Sequence, residues 1–309
     1  MEPSAGDDSR RLPVSVRSRS STIGPTRAIA RPLYRTNLST ATDVERGTNV
    51  SIKLRYAGST DVGQKRGHNE DNLCLLPEQN LYLAADGMGG HASGEVASQI
   101  AVDTIAEFFE ETAEDQDLTW PYKMDKDLGY EENRLAASIK LANLRIHEKA
   151  ESDPSTHHGM GTTIVATHIS DDLVYVGHVG DSRIYRLRDN TLEQVTDDHS
   201  LLNDYIKMKD LSEEEIENFP HKNVIVRALG MKETVQVDVD HEEPEDGDIY
   251  LLCSDGLCDM LKDDRIEEIM VEERDDLDAC VDELIDAANE EGGNDNITVV
   301  LVEVVKEDQ

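Results

Sequence analysis

The amino-acid sequence predicts an α+β protein whose antiparallel sheets are covered by helices. Strand-like segments, which are short apolar runs bounded by turn residues, follow one another in groups. Helical segments, in which apolar residues recur about every 3.6 positions, come mostly in pairs. The regular alternation of strands and helices that is typical of parallel sheets is absent from the sequence.

The first half of the chain begins with two predicted strands and continues with two predicted helices. Residues 73–76 and 81–85 are short apolar runs, and the turn residues 77–80 join them. Residues 93–111 and residues from about 131 to 151 carry apolar side chains at helical spacing, so each segment is predicted to form an amphipathic helix.

The second half of the chain is predicted to be rich in strands and to end on a long apolar one. The pairs Asp-Asp at 171–172 and Asp-Asn at 189–190 are typical of tight hairpin turns. Residues from about 200 to 223 are irregular and polar, with a short helical stretch capped near Ser212. The predicted elements are strands at 162–168, 173–179, 184–187, 192–195, 235–239, 249–253 and 297–305 and helices at 263–272 and 275–290.

The composition excludes two classes of partner. The 309 residues carry a formal net charge of −36, from 30 lysines and arginines against 66 aspartates and glutamates. Nucleic acids and anionic membranes are polyanions, so we expect neither as a partner. Aromatic residues make up only 4% of the chain, so the core must be built mainly from aliphatic side chains.

Nothing in the sequence indicates a membrane segment or an export signal. No apolar run reaches the ~18 residues that a transmembrane helix needs, and the first residues lack the apolar core of a signal peptide. The cysteines Cys74, Cys253, Cys258 and Cys280 form no CxxC pair, so we expect reduced thiols. We therefore expect a cytoplasmic protein, and we expect it to be a monomer.

Residues 1–50 differ from the rest of the chain. They contain eight arginines, no lysine and five acids, which gives a local net charge of +3. Such a composition cannot bury enough apolar surface to fold alone, so we predict a disordered, Arg- and Ser-rich tail. The tail is either simply solvated or a basic docking or phosphorylation segment. Residues 51–309 form the predicted folded domain.

Four acids lie at the mouths of apolar strands. Asp86 and Asp255 follow such strands and precede a glycine. Asp181 follows a strand and a glycine, and Asp295 precedes the last strand. One such acid is usually a turn residue or a helix cap. Four of them favour a shared metal centre, because an acid at a buried strand end is costly without a cation or donors. Oxygen ligands suit Mg²⁺ or Mn²⁺ and not zinc.

A charged loop at residues 61–72 adds two candidates. Arg66 precedes the carboxylates Glu70 and Asp71, just before a predicted strand. A guanidinium is a planar fork suited to a phosphate, and Glu70 is a further candidate metal ligand. The alternative is an exposed charged loop with a local salt bridge.

Five short motifs contain these candidates, and a sixth, at 159–163, lies among them in the sequence. They are RGHNED at 66–71, DGMGGH at 86–91, GMGTT at 159–163, GDSR at 180–183, SDGL at 254–257 and GGNDNIT at 292–298. Together they resemble the metal-dependent protein serine/threonine phosphatases of the 2C type, especially the compact bacterial form. The motifs run in the family's order and cover about residues 54–305. Each one is weak alone, but the ordered set is specific.

The resemblance implies a four-layer fold, in which a central sandwich of two antiparallel β-sheets is flanked by α-helices. It also implies two Mg²⁺ or Mn²⁺ ions at one end of the sandwich. By its motif, Asp86 resembles the ligand that both ions share. Glu70 and the backbone carbonyl of Gly87 resemble ligands of one ion.

The resemblance assigns the remaining candidates as well. Asp255 and Asp295 resemble ligands of the other ion, and Asp181 together with Asp255 resembles the site of a weaker third ion. Arg66 resembles the residue that binds the substrate phosphate. Arg66 and Asp86 are therefore the candidate catalytic residues.

The implied activity is hydrolysis of phosphoserine and phosphothreonine in proteins. Two ions can hold a bridging water and lower its pKa, and the resulting hydroxide would attack phosphorus in line with the leaving oxygen. No covalent phosphoenzyme is needed. The general acid is left open, because some animal members have a histidine directly after the Asp-Gly pair, where this chain has Met88. His91 lies three residues further on.

The implied partners are phosphorylated proteins, and we expect serine/threonine kinases and their substrates among them. Residues from about 200 to 223 match the position of the family's flap, for which a role in substrate choice is a hypothesis. Two alternatives to this function stay open. One is a phosphatase or phosphodiesterase for small molecules, and the other is a non-catalytic regulatory relative. The presence of every acidic motif position argues against the second.

Overall fold

Antiparallel strands form most of the framework of the protein. The structure, a computed structural model, describes residues 39–40, 50–89, 93–115, 119–157, 159–209, 215, 219 and 224–308. The strands are β1 (Ser39–Thr40), β2 (Val50–Asp61), β3 (Asn72–Leu76), β4 (Leu81–Ala85), β5 (Gly87–Met88), β6 (Gly161–Thr162), β7 (Ile164–Ser170), β8 (Leu173–Val179), β9 (Arg183–Arg188), β10 (Thr191–Gln194), β11 (Asp238–Glu242), β12 (Ile249–Cys253) and β13 (Ile297–Asp308).

The helices lie between and after these strands. They are α1 (Ser93–Glu114), α2 (Tyr130–Ser152), α3 (Pro154–His157), α4 (Leu201–Met208), α5 (Asp255–Cys258), α6 (Asp263–Glu272) and α7 (Leu277–Glu290). A 3₁₀ turn, Pro77–Gln79, joins β3 to β4. Among the helices of the described ranges, none carries an apolar stretch long enough to cross a lipid bilayer.

Two sheets pack face to face at the centre of the structure. One sheet has the strand order β1-β2-β13-β12-β9-β10, the other has the order β11-β8-β7-β4-β3, and β5 pairs separately with β6. The inner faces share one apolar cluster, to which both sheets contribute fully buried side chains such as Tyr82, Tyr250 and Leu252. Burial of this apolar surface holds the sheets together.

Helices cover the outer face of each sheet. α6 and α7 pack on the six-stranded sheet through a second cluster that includes Leu251 and Leu284. α1 and α2 pack on the five-stranded sheet through a third cluster that includes Leu83, Phe109 and Ile139. The layer order is therefore helix, sheet, sheet, helix, and the predicted four-layer α+β fold is confirmed.

The two predicted hairpin turns have the backbone that their residues favour. Asp171, Asp172, Asp189 and Asn190 all have positive φ angles between 50° and 62°. This left-handed conformation at both central positions gives the turn a twist that matches the twist of the flanking strands. The turns therefore fix the register of the β7–β8 and β9–β10 hairpins, with Ser170 opposite Leu173 in the first of them.

The structure adds the short elements β1, β5, β6, α3 and α5, which were not predicted, and it differs from the sequence prediction at three longer ones. β2 is a long strand that pairs with β13 from Asp61 to Val50, although charged residues such as Lys53 and Arg55 interrupt its apolar pattern. α4 lies in a segment predicted to be irregular, where the Ser200 side chain accepts a hydrogen bond from the Asn203 N–H as an N-cap. β11 lies three residues later than predicted, because its register is set by pairing with β8.

Some predictions fall on residues outside the described ranges. Of the predicted tail at 1–50, only residues 39–40 and 50 are described, and residues 39–40 pair with β2. The helical stretch near Ser212 and the position of His91 lie outside the described ranges as well. These predictions stay as they were made from the sequence.

Candidate metal centre

The topology brings several strand ends to one end of the sandwich. In the five-stranded sheet, Asn72 lies opposite Ala85, so the chain before β3 adjoins the chain after β4. β8 runs parallel to β4 because β7 lies between them and is antiparallel to both. In the other sheet, Cys253 at the end of β12 lies opposite Val299 near the start of β13. The acids attached to these strand ends are Glu70, Asp86, Asp181, Asp255 and Asp295.

A buried asparagine joins the loops that come from the two sheets. The side-chain oxygen of Asn296 accepts a hydrogen bond from the Glu70 N–H at 2.8 Å. Its amide nitrogen donates to the carbonyl oxygens of Val62 and His68 at 3.0 and 3.1 Å. Since Asn296 follows Asp295 directly, these bonds hold Asp295 beside Glu70.

Two glycines allow the loops to come unusually close. A Cβ on Gly87 would lie 2.3 Å from the carbonyl oxygens of Glu70 and Gly94. A Cβ on Gly256 would lie 1.9 Å from the carbonyl oxygen of Asn296. No side chain fits at such distances, so only glycine permits this approach. The backbone of Gly87, whose carbonyl is a predicted ligand, therefore lies against Glu70.

Threonines of the GMGTT motif hold the backbone of Asp86. The Asp86 N–H donates to Thr163 Oγ1 at 3.0 Å, and the Thr163 N–H donates to the Asp86 carbonyl at 2.8 Å. Thr162 Oγ1 donates to the same carbonyl at 2.8 Å. Thr163 Oγ1 also lies 2.7 Å from Ser182 Oγ. The Asp86 turn and the loop after Asp181 are thus tied to the junction between β6 and β7.

The acids of this site are buried beside one another. Burial and the charges of neighbouring acids raise the pKa of Asp86 well above its usual value, and those neighbours include Asp71, Asp255 and Asp181. Burial also raises the pKa of Asp181 to about 7, with the charge of Asp255 as the next cause. Burial raises the pKa of Asp255 to about 6. The protein therefore holds several like charges in a place where water screens them poorly.

Three carboxylate oxygens of the site lack hydrogen-bond donors. Glu70 Oε1, Asp181 Oδ1 and Asp255 Oδ1 are buried and accept no hydrogen bond from any residue that the structure describes, although the Glu70 oxygen has an ion-pair contact with His68. A buried carboxylate without a donor or a cation is strongly unfavourable. A set of carboxylate oxygens is the ligand set that Mg²⁺ and Mn²⁺ prefer. The residues present therefore fit a centre of hard divalent cations.

Two basic side chains stand at this cluster of acids. The guanidinium of Arg66 pairs with Asp295 Oδ2, and half of the Arg66 side chain is exposed to solvent. His68 Nε2 lies 3.3 Å from Glu70 Oε1 and is also half exposed. Arg66 is therefore both accessible from solvent and in contact with an acid of the site, as a phosphate ligand would need to be.

Comparisons with known proteins identify the family. The sequence model of the family described as protein phosphatase 2C matches residues 64–302. The chain belongs to the protein phosphatase 2C family. It is 40% identical to the serine/threonine phosphatase stp of Listeria welshimeri over 251 residues, which cover 79% of this chain and 93% of that one. It is 35% identical to the protein phosphatase PhpP of Streptococcus pneumoniae over 252 residues, which cover 81% of this chain and 97% of that one.

Solved structures of this phosphatase family have the same fold. The serine/threonine phosphatase PstP/Ppp of Mycobacterium tuberculosis aligns with a TM-score of 0.71 and 34% identity, over 82% of this chain and 99% of that one. The catalytic domain of PstP in complex with two manganese ions aligns with a TM-score of 0.68 and 35% identity, over the same shares. The predicted family, fold and activity class are confirmed. This protein is a metal-dependent protein phosphatase.

The structure brings all predicted site residues of this phosphatase to one end of the sandwich. Their individual roles stay predictions. The predicted set of residues is Arg66, Glu70, Asp86, Gly87, Asp181, Asp255 and Asp295.

Met88, at the position left open for a general acid, lies in β5 and pairs with Gly161.

One acid of the site was not singled out from the sequence. Asp71 is almost fully buried, and its Oδ2 accepts a hydrogen bond from Thr298 Oγ1 at 2.7 Å across the two sheets. Burial raises the pKa of Asp71 to about 7. The sequence feature that could have identified Asp71 as a site residue is its position directly after Glu70 and directly before an apolar strand.

The first prediction concerns stability in the absence of metal. The folded-state pKa values of Asp71, Asp181 and Asp255 lie at about 7, 7 and 6, above the ordinary value of 3.8. Their contribution to stability is therefore full below about pH 4 and is lost as the pH rises through 6 to 7. In chelator, Tm should fall between pH 5 and pH 8. Asp181→Asn should reduce this fall and raise Tm at pH 8, by about 2–4 °C for each kcal/mol relieved.

Thermal unfolding followed by circular dichroism measures this effect. The exposed Glu110 in α1 provides the matched control, and Glu110→Gln should leave the dependence of Tm on pH unchanged. An unaltered dependence in Asp181→Asn would show that this acid carries no unfavourable buried charge.

Proposed function

We propose that this chain hydrolyses phosphoserine and phosphothreonine in proteins at a centre of two divalent ions, Mn²⁺ or Mg²⁺. The observation that carries the proposal is the group of buried, donor-less carboxylate oxygens next to the half-exposed Arg66. Relatives that cover most of the chain are named serine/threonine phosphatases, and this supports the choice of substrate.

The assignment of ligands follows the positions of the acids. Asp86 is the ligand that both ions share. This assignment is supported by its central position, since the charges of four other acids of the site raise its pKa. Glu70 and the Gly87 carbonyl complete the site of one ion, supported by the close approach of these two residues. Asp255 and Asp295 hold the other ion. Asp181 lies near Asp255 and serves a weaker third ion.

When bound, the ions would supply Lewis acidity, which lowers the pKa of water and offsets negative charge on the phosphoryl group. The chain's own contribution begins with Arg66. A phosphate presents a fork of oxygens to a guanidinium much as a carboxylate does, so substrate phosphate can take the place that Asp295 occupies on Arg66. The guanidinium then fixes the orientation of the phosphoryl group and stabilises its charge.

A cysteine nucleophile is not part of this proposal. Cys258 lies close to Asp255 in sequence, but a hydrogen bond with Cys253 and burial raise the pKa of the Cys258 thiol well above its usual value. A thiol must lose its proton to act as a nucleophile, so Cys258 stays unreactive near neutral pH. This supports direct attack of water on phosphorus.

We propose phosphorylated proteins as the partners, with serine/threonine kinases and their substrates among them. The net charge of −36 is the support for excluding nucleic acids and anionic membranes. The cytoplasmic location and the monomeric state are kept as expectations from the sequence.

The second prediction is Mn²⁺-dependent release of phosphate from phosphothreonine and phosphoserine peptides. Asp86→Ala and Asp255→Ala should each lower kcat/KM by about 10²-fold or more, because each change removes charge that holds the ions. Arg66→Ala should lower kcat/KM by about 10- to 100-fold through lost charge-assisted hydrogen bonds. The exposed neighbour Lys65 provides the matched control, and Lys65→Ala should stay within about twofold of the wild type.

The same assay separates the alternatives. Hydrolysis of small phosphate esters or cyclic nucleotides with phosphopeptides left untouched would favour a phosphatase or phosphodiesterase for small molecules. A folded protein that binds Mn²⁺ but hydrolyses none of these substrates would favour a non-catalytic regulatory relative. Full activity of Asp86→Ala would overturn the ligand assignment.

We also propose that the flap at about residues 200–223 takes part in substrate choice. Large apolar side chains are exposed in α4 and after residue 223, among them Met208, which is 80% exposed, and Val224 and Val226, which are each 44% exposed. Exposed apolar surface of this kind can contact a protein substrate. The hydrogen bond from the Leu201 N–H to the Val224 carbonyl at 2.9 Å joins the two sides of the segment.

The third prediction is that exchanging residues 200–223 for the corresponding segment of a relative changes the ranking of phosphopeptides. The rate with p-nitrophenyl phosphate should stay within a few-fold, because this small ester needs only the metal centre and Arg66. The readout is kcat/KM over a peptide panel. An unchanged ranking would count against a role of the flap in substrate choice.

A further inference from the structure

A partly buried cluster of polar side chains lies directly behind the loop that carries Asp181. It consists of His199, Arg227 and Asp238, and we call it the His199 cluster. His199 is 5% exposed. Its ring stacks on the ring of His178 with a centroid distance of 4.5 Å. Asp238 lies opposite His178 in the β8–β11 pair.

The geometry allows one other interpretation, a second metal site. Ligand atoms of His178, His199 and Asp238 lie within 4.8 Å of one another. However, the guanidinium of Arg227 lies 2.6 Å from Asp238 Oδ1 and 3.0 Å from His199 Nε2. A fixed positive charge in this place repels a metal ion and already neutralises the carboxylate. The cluster is therefore a hydrogen-bonded network and not a second metal site.

Hydrogen bonds define the protonation of the His199 ring. Nδ1 accepts a hydrogen bond from the Gly180 N–H at 3.0 Å, so Nδ1 carries no proton. The proton of the neutral ring is then on Nε2, which lies 3.1 Å from Asp238 Oδ2 and donates to it. Asp238 thus accepts from the imidazole on one oxygen and from Arg227 on the other. Each ring nitrogen of His199 has a separate role.

The backbone of His199 also forms a hydrogen bond with Gly180. The His199 N–H donates to the Gly180 carbonyl at 2.8 Å. Both polar backbone atoms of Gly180 are therefore bonded to His199. Gly180 has a φ of 118°, and a Cβ there would lie 2.6 Å from Thr163. His199 therefore holds this glycine turn through both of its polar backbone groups, and the next residue is Asp181.

The cluster also holds the chain that follows the flap. The Val226 N–H donates to the His199 carbonyl at 2.9 Å, and the next residue, Arg227, pairs with Asp238. His199 is therefore bonded to the turn before Asp181 on one side and to residues 226–227 on the other.

We propose that His199 is a positioning residue for metal binding, which orients Asp181 by fixing both backbone groups of Gly180. Asp238 accepts from Nε2 and so holds the imidazole in the tautomer that leaves Nδ1 free to accept, while Arg227 holds the Asp238 carboxylate in place. This inference rests on the proposed metal centre, because it assigns Asp181 to that centre. Partners that orient a metal ligand commonly change metal affinity by about 10- to 100-fold when they are lost.

The fourth prediction separates the two nitrogens of His199. In His199→Asn, the side-chain oxygen occupies the place of Nδ1 and can still accept from Gly180. In His199→Gln, the amide nitrogen occupies the place of Nε2 and can reach Asp238 but not Gly180. We expect His199→Asn to bind Mn²⁺ within about threefold of wild type and His199→Gln to bind at least one Mn²⁺ about 10-fold more weakly.

His178 provides the matched control for loss of a buried imidazole. It stacks on His199, is buried to a similar degree, and its Nε2 lies 3.0 Å from the Asp197 carbonyl, away from Gly180. His178→Ala should lower Tm but leave Mn²⁺ affinity unchanged. If His199 acts only through packing, His178→Ala and His199→Gln should both lower Tm and neither should change Mn²⁺ affinity.

Calorimetric titration of metal-free full-length protein with Mn²⁺ measures affinity and stoichiometry without any assay of activity. The rise in Tm with Mn²⁺ provides a second readout. Mn²⁺ affinity of His199→Gln equal to wild type would overturn the role of His199, while loss of binding in Asp86→Ala would leave the proposed function intact. Absence of Mn²⁺ binding in the wild type would instead overturn the proposed function itself.

Discussion

The structure depends on one constraint, the burial of mutually repelling carboxylates at one end of the sandwich. Asp71, Asp86, Asp181 and Asp255 each have a pKa raised first by burial, and neighbouring acids add to the effect for each of them. The fold is stable despite this local charge because the burial of apolar surface elsewhere in the sandwich offsets the free-energy cost of burying the acids. Divalent ions held there, as proposed above, would turn the same charge from an unfavourable interaction into binding energy. The proposed function and the cost in stability would then have one source.

The sandwich architecture makes this concentration of charge possible. The acids come from loops far apart in sequence, and the strand pairing fixes where those loops lie. The twelve-residue pairing of β2 with β13 anchors the Asp295 side of the centre, while the β3–β4 pair anchors Glu70 and Asp86. Asn296, Thr163 and His199 then connect loops that share no strand. The proposed ligands are attached to sheet edges and joined by buried hydrogen bonds, an arrangement that favours a preorganised site.

The sequence was sufficient for features that depend on local pattern. Acids that end apolar strands, such as Asp86 and Asp255, stand out from the surface acids, and the Asp-Asp and Asp-Asn turns indicate their hairpins directly. Features that depend on tertiary contacts were not predictable. In the sequence, Asp71 is one acid of a charged loop. The feature that sets it apart, the hydrogen bond that it accepts from Thr298 across the two sheets, depends on the tertiary structure. His199 lies in a polar segment, and its contact with Gly180 spans 19 residues. β2 was missed because its charged residues interrupt the apolar run.

Anomalous diffraction can show whether the buried acids hold divalent ions. Crystals grown with Mn²⁺ and measured at the manganese absorption edge locate each ion independently of the phosphatase reaction. We expect two strong peaks that both contact Asp86, one beside Glu70 and the Gly87 carbonyl and the other beside Asp255 and Asp295. Well-ordered carboxylates with no peak between them, or a single peak at His178, His199 and Asp238, would show that these acids do not form the proposed metal centre.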